Sequence, residues 1–129
     1  MQYYFSKTLK NVSFDEAVAK VTEELKKEGF GVISEINLHE KFKEKLDIDF
    51  RKYRILGACN PASAFKALQQ EDKIGTMLPC NVIIHQLSDS QIEVAAVDPV
   101  ASMQAIENEN LASIANEIRA KLKKVLESM

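Results

Sequence analysis

The residues Cys80-Asn81-Val82-Ile83-Ile84-His85-Gln86-Leu87, Ser88-Asp89-Ser90-Gln91 and Ile92-Glu93-Val94-Ala95-Ala96-Val97 decide the fold. The central four are polar turn formers, and the flanks are rich in β-branched and apolar residues, so the stretch reads as a hairpin. On the first arm Val82 and Ile84 face one way and Ile83 the other. On the second arm Val94 and Ala96 oppose Ala95 and Val97. Both faces of the sheet are therefore apolar. Helices cover one face of such a sheet, and the other face needs a cover of its own. A homodimer would supply it, symmetric dimers being the commonest oligomers; short connecting helices are the competing cover.

Upstream, Arg51 to Cys59 reads as another strand, again apolar on both faces, with Ile55 and Cys59 opposite Leu56 and Ala58. Asn60-Pro61 closes it. Asn is a good N-cap and Pro suits the first helical position, which predicts a short helix through Phe65 and Leu68. Strand character returns around Ile74 to Leu78. Nearer the N-terminus, residues 2–9 alternate and carry aromatics, as a first strand does. Ser13-Phe14-Asp15-Glu16 is a capping box, followed by a helical stripe of Phe14, Val18, Val21 and Leu25 that Gly29 can stop. Phe30 to Leu38 alternates with Phe30, Val32, Ser34, Ile36 and Leu38 on one face, and a short amphipathic helix through Phe42 and Leu46 follows.

Downstream, Asp98-Pro99 ends the hairpin. Leu111, Ala115, Ile118, Leu122 and Val125 then recur at steps of four and three, the mark of an amphipathic helix. Lys121, Lys123 and Lys124 complement its dipole. The order predicts a single α+β domain over residues 1–129: a mainly antiparallel sheet with the long C-terminal helix packed on one face.

Composition excludes several classes. The chain has 129 residues, 46% apolar and 28% charged, an ordinary globular balance that needs no disulfide or metal staple. A formal net charge of −2 argues against a general nucleic-acid binder. No stretch approaches the roughly 20 apolar residues of a membrane span. The N-terminal residues lack the pattern of a secretion signal, so a cytoplasmic location and free thiols are expected.

The chemistry-bearing feature is a pair of matching segments, Ala58-Cys59-Asn60-Pro61 and Pro79-Cys80-Asn81-Val82. If the strand ending at Cys59 and the strand beginning at Cys80 are antiparallel neighbours, both thiols lie at one end of the sheet. There they could ligate a soft metal, form a reversible disulfide, or act as nucleophile and resolving group. Asn60 and Asn81 could offer amide groups to a small ligand. The plainer reading makes the cysteines small core hydrophobes and the asparagines caps or turns. Glu35 and Arg54 are further candidates: in the same pocket, Arg54 could bind a carboxylate or lower a thiol pKa, and Glu35 could act as a base. His85 alternates away from Cys80, His39 reads as a surface residue, and no third and fourth zinc ligand is evident. No cofactor or catalytic set is implied, so a binding protein, a thiol-dependent enzyme and a structural or interaction module all remain open.

Three segments carry a resemblance. Phe30-Gly31-Val32-Ile33-Ser34-Glu35-Ile36, Tyr53 to Pro61, and Ile74-Gly75-Thr76-Met77-Leu78-Pro79-Cys80-Asn81-Val82 resemble the bacterial and archaeal domain-of-unknown-function 302 family. The two Cys-Asn segments are the specific part. The resemblance implies a curved, mainly antiparallel sheet of the TATA-box-binding-protein-like α+β type, β-α-β4-α with short extra helices, commonly a dimer. It implies neither DNA binding nor any particular reaction. It also implies export signals in many relatives, whereas this chain begins directly with its first strand.

Overall fold

The computed structural model describes residues 2–129. Its elements are β1 (Tyr4–Lys10), α1 (Phe14–Lys27), β2 (Gly31–Asn37), α2 (Leu38–Leu46), β3 (Tyr53–Cys59), α3 (Pro61–Gln70), a 3-10 segment (Asp72–Met77), β4 (Cys80–Ser88), β5 (Gln91–Val97), α4 (Pro99–Ser102) and α5 (Glu109–Glu127). The strands form one antiparallel sheet in the order β1-β5-β4-β3-β2. The hairpin of β4 and β5 lies at its heart, and β1 and β2 are the edges. The fold is α+β, as the element order in the sequence predicts.

Local chemistry sets the helix ends. Ser13 Oγ accepts from the Glu16 N–H at 3.0 Å, and Glu16 Oε1 accepts from the Ser13 N–H at 3.3 Å, completing the capping box. Gly29 takes φ +84° directly after α1, a left-handed conformation that glycine adopts without a Cβ clash.

The core lies between one sheet face and helices α1 and α5. Val21 and Leu25 of α1, Leu122 and Val125 of α5, and Leu56, Val82, Ile84 and Val94 of the sheet are fully buried together. The predicted stripe of α5 is the observed one, with Leu126 added. A smaller cluster of Ala67, Ile74 and Leu111 joins α3, the 3-10 segment and α5. The opposite sheet face presents Ile36, Ile55, Ile83 and Val97 by register, and among the described residues no long helix packs across it.

Three local expectations differ from what forms. Residues 74–77 are 3-10 helix, not strand: Ile74 N–H bonds back to Glu71 O and Leu78 N–H to Gly75 O, while the Ile74 side chain is drawn into the smaller cluster. Nor does β2 keep one alternation, because a bulge at Ile33 shifts the register between Val32 and Ser34. Val32 therefore pairs with Ala58 on the covered face, and Ser34 and Ile36 pair with Gly57 and Ile55 on the open one. Finally, α3 buries Ser63 and Ala67 and leaves Phe65 and Leu68 exposed. Its small residues allow close approach to α5, which a large side chain would prevent.

Candidate functional site

Strands β3 and β4 are antiparallel neighbours with Ala58 opposite Cys80, so one cysteine ends a strand where the other begins the next. Cys80 shares the covered face with Val82 and packs against the main core. Cys59 stands at the last position of β3, where the chain turns into α3. Both cysteines are free and partly buried. They line one cavity of about 40 Å³, walled by the end of β3 and by α3, α4 and α5. Asn60 and Met103 also reach it, and Phe30 and Ile118 belong to its apolar wall. No charged side chain is among the lining residues. Burial first, and the adjacent Cys59 second, push the Cys80 thiol up to about 11. A thiolate is poorly solvated in such surroundings, so the neutral thiol is favoured.

The two asparagines part company. Asn60 is buried and caps α3: its Oδ1 accepts from the Ser63 N–H at 3.2 Å, and its Nδ2 donates to Glu28 O at 3.4 Å. It thus ties the end of α1 to the start of α3. Asn81 pairs with Gly57, points to the open face and is exposed. There it lines a separate groove with Tyr4, Tyr53 and Glu93. Gly57 is glycine for a steric reason: a Cβ would come within 2.7 Å of the Pro79 ring and would also collide with Ser34 Oγ.

Glu35 and Arg54 stand apart from the thiols. Arg54 Nη1 lies 3.1 Å from Glu35 Oε1, Arg54 Nε donates to Asn37 Oδ1 at 2.6 Å, and its guanidinium sits 5.3 Å from the centre of the Phe14 ring. Arg54 is five positions before Cys59 on β3, about 16 Å at the rise of a strand. His39 Nδ1 accepts from the Tyr53 N–H at 2.9 Å and so holds the start of β3. Among the described residues, no group of three or more His, Cys, Asp or Glu side chains could hold a metal ion.

Two features went unread in the sequence. Met103 approaches the thiols only because α4 folds over the end of the sheet, and no local spacing signals this. The second is a polar cluster on the open face. His85 is buried there; Arg51 Nε donates to its Nδ1 at 3.1 Å, which leaves the Nε2 proton to donate to Glu93 Oε1 at 2.7 Å. Glu93 lies directly opposite His85 only because the register shifts between Gln86 and Ser88; counting outward from the two-residue turn would have paired Glu93 with Gln86 instead.

Comparison with known proteins agrees with this architecture. A family model described as "Domain of unknown function DUF302" matches residues 5–129. Among solved structures, an uncharacterized conserved protein DUF302 from Bacillus stearothermophilus superposes with a TM-score of 0.89 at 26% identity, covering 98% of each chain. No curated protein matches the sequence.

Proposed function

The chain belongs to the DUF302 family, and from that premise we propose that its paired cysteines bind a soft metal ion in the cavity they share. The size of that cavity carries the reading. About 40 Å³ exceeds the roughly 10–15 Å³ that one water needs but falls far below the ~300 Å³ of an ordinary metabolite pocket. An ion with two sulfur ligands fits where a substrate does not. Thiolates select soft ions such as Cu(I), and a monovalent d10 ion accepts two of them without a third or fourth ligand. Binding M⁺ to the two thiols releases two protons and leaves a bis-thiolate complex of charge −1. The N-terminus of α3, which starts just past Cys59, places partial positive charge beside it.

The other readings fit less well. A nucleophilic Cys80 would need a free thiolate before substrate arrives, which burial disfavours, whereas a metal ion displaces the thiol proton as it binds. Cysteines that serve the core alone would leave metal addition without consequence. A cytoplasmic, reducing setting suits the proposal, since it keeps both sulfurs available as thiols.

Silver(I), which does not change oxidation state here, is the direct probe. One equivalent should raise the unfolding midpoint, by about 2.7 kcal/mol of stability at a free concentration a hundred times Kd. Zn(II) should not. Cys59→Ala and Cys80→Ala should each lose the response. A wild-type protein indifferent to silver, or a double-alanine variant that still responds, rules the site out.

We further infer that two copies associate through the uncovered sheet face. Ile36 is 44% exposed on it, and Ile55, Ile83 and Val97 are only half-buried in a single chain. Sedimentation equilibrium should give a dimer, and Ile83→Lys a monomer with its helical content intact. A monomeric wild type at high micromolar concentration ends this idea.

A further inference from the structure

We propose that the surface cleft between the 3-10 segment and α4 is the loading port of the thiol site, with Met77 and Met103 as thioether stations for a monovalent soft ion; this rests on the soft-metal reading above. The cleft, about 230 Å³, runs along Met77, Pro79, Cys80, Ser102 and Met103. Leu78, Pro79, Cys80, Pro99 and Met103 border both this cleft and the inner cavity, so two sulfur-bearing side chains stand among the five residues where the spaces meet. Met77 is 38% exposed at the outer end. Met103 is half-buried and packs against Ala67, Ile74 and Leu111. Two of the chain's four methionines therefore stand on a path from solvent to the thiols.

Core packing accounts for Met103, which joins the smaller cluster, whereas Met77 keeps 38% of its surface open at the cleft and so leaves its thioether within reach of an ion in solution. A thioether is neutral and polarizable at any pH, and it binds Cu(I) or Ag(I) weakly enough to release it. The lining of the cleft contains no Asp, Glu or His. Its side-chain oxygens are the neutral ones of Thr76, Asn81 and Ser102, and hard divalent ions, which favour several carboxylate oxygens, are held only weakly by such a set. The path thus selects by ligand softness before the ion reaches a thiol. At each transfer one sulfur–metal bond forms as another breaks, and the metal keeps its oxidation state. The two thiol protons leave only at the last step, when Cys80 and Cys59 take the ion.

Leucine matches methionine in volume and lacks the sulfur, so Met77→Leu and Met103→Leu keep the packing and remove the ligands. The experiment follows anaerobic transfer of Cu(I) from its coloured bicinchoninate complex to the protein by stopped flow, with stoichiometry measured at equilibrium. Met77→Leu should slow transfer, and the double variant should slow it by roughly tenfold or more, each still ending at one ion per chain. Variants that load at the wild-type rate, with that stoichiometry kept, overturn the port and leave the thiol site standing. A wild-type protein that takes no Cu(I) removes both. Zn(II) competing for the cleft at equal concentration also counts against the port.

Discussion

Cys59-Asn60-Pro61 and Cys80-Asn81-Val82 begin with the same dipeptide and meet at the same end of one sheet, yet their asparagines share nothing. In the first segment the strand ends, so the backbone leaves the pleat, and the Asn60 side chain turns inward to cap α3 and hold the end of α1. In the second the strand begins, alternation applies, and Asn81 is carried through to the opposite face. The cysteines behave in the reverse way. One at a strand end and one at a strand start, they line a single cavity. A repeated motif thus acquires its meaning from which side of a strand boundary each residue occupies.

The contrast can be broken most strongly at Cys80. Its thiol titrates near 11 instead of 9.0, so folding lowers the thiolate fraction at neutral pH by roughly a hundredfold. Iodoacetamide labelling of Cys80 in a Cys59→Ala background, which keeps the burial but removes the contribution of the neighbouring thiol, should be slower in the folded than in the unfolded chain by up to about that factor. Labelling at the unfolded rate would show an open, ordinary thiol. The same shift has a sign in stability. Between pH 9 and about 11 the unfolded chain has released the Cys80 proton and the folded chain has not. Stability attributable to this residue is therefore intact below pH 9, falls as pH rises, and is lower by about 2–3 kcal/mol once the pH passes the folded value. Urea titrations of wild type and Cys80→Ala at pH 8 and at pH 11 isolate it as the difference between the two chains.

Asn60 comes next. Asn60→Ala removes an N-cap and strips the Glu28 carbonyl of its side-chain partner, together costing about 2 kcal/mol. Chemical denaturation measures it, and a loss under about 0.5 kcal/mol would mean that water replaces the cap. Asn81→Ala should be the quietest change, within about 0.5 kcal/mol of wild type and without effect on silver binding. An Asn81 variant that loses the metal would reverse the division drawn between the two segments.

Much of this architecture was legible because its signals are local. The capping box at Ser13, the hairpin turn at Asp89-Ser90 and the stripe from Leu111 to Val125 each declare themselves within a few residues. The misread parts depend on distant partners. Ile74 resembles the start of a strand until Ala67 and Leu111 offer it a buried seat. Ile33 looks like one more alternating residue until β3 supplies the register that excludes it. At the site, Cys59 and Cys80 were brought together by strand order alone. Arg54 and Glu35 were not, since strand residues a few positions from Cys59 are already more than a cavity's width away. Met103 lay beyond reach, because its approach depends on where α4 docks.

The bulge at Ile33 also bears on how the chain behaves in a crowded solution. It lies on β2, one of the two strands with an unpaired side. An even, open edge invites a foreign strand to add on and seed an aggregate. The extra residue interrupts the spacing of free N–H and C=O groups, and Glu35 adds a half-exposed charge next to it. Newly made chains would find no regular ladder to extend at this edge.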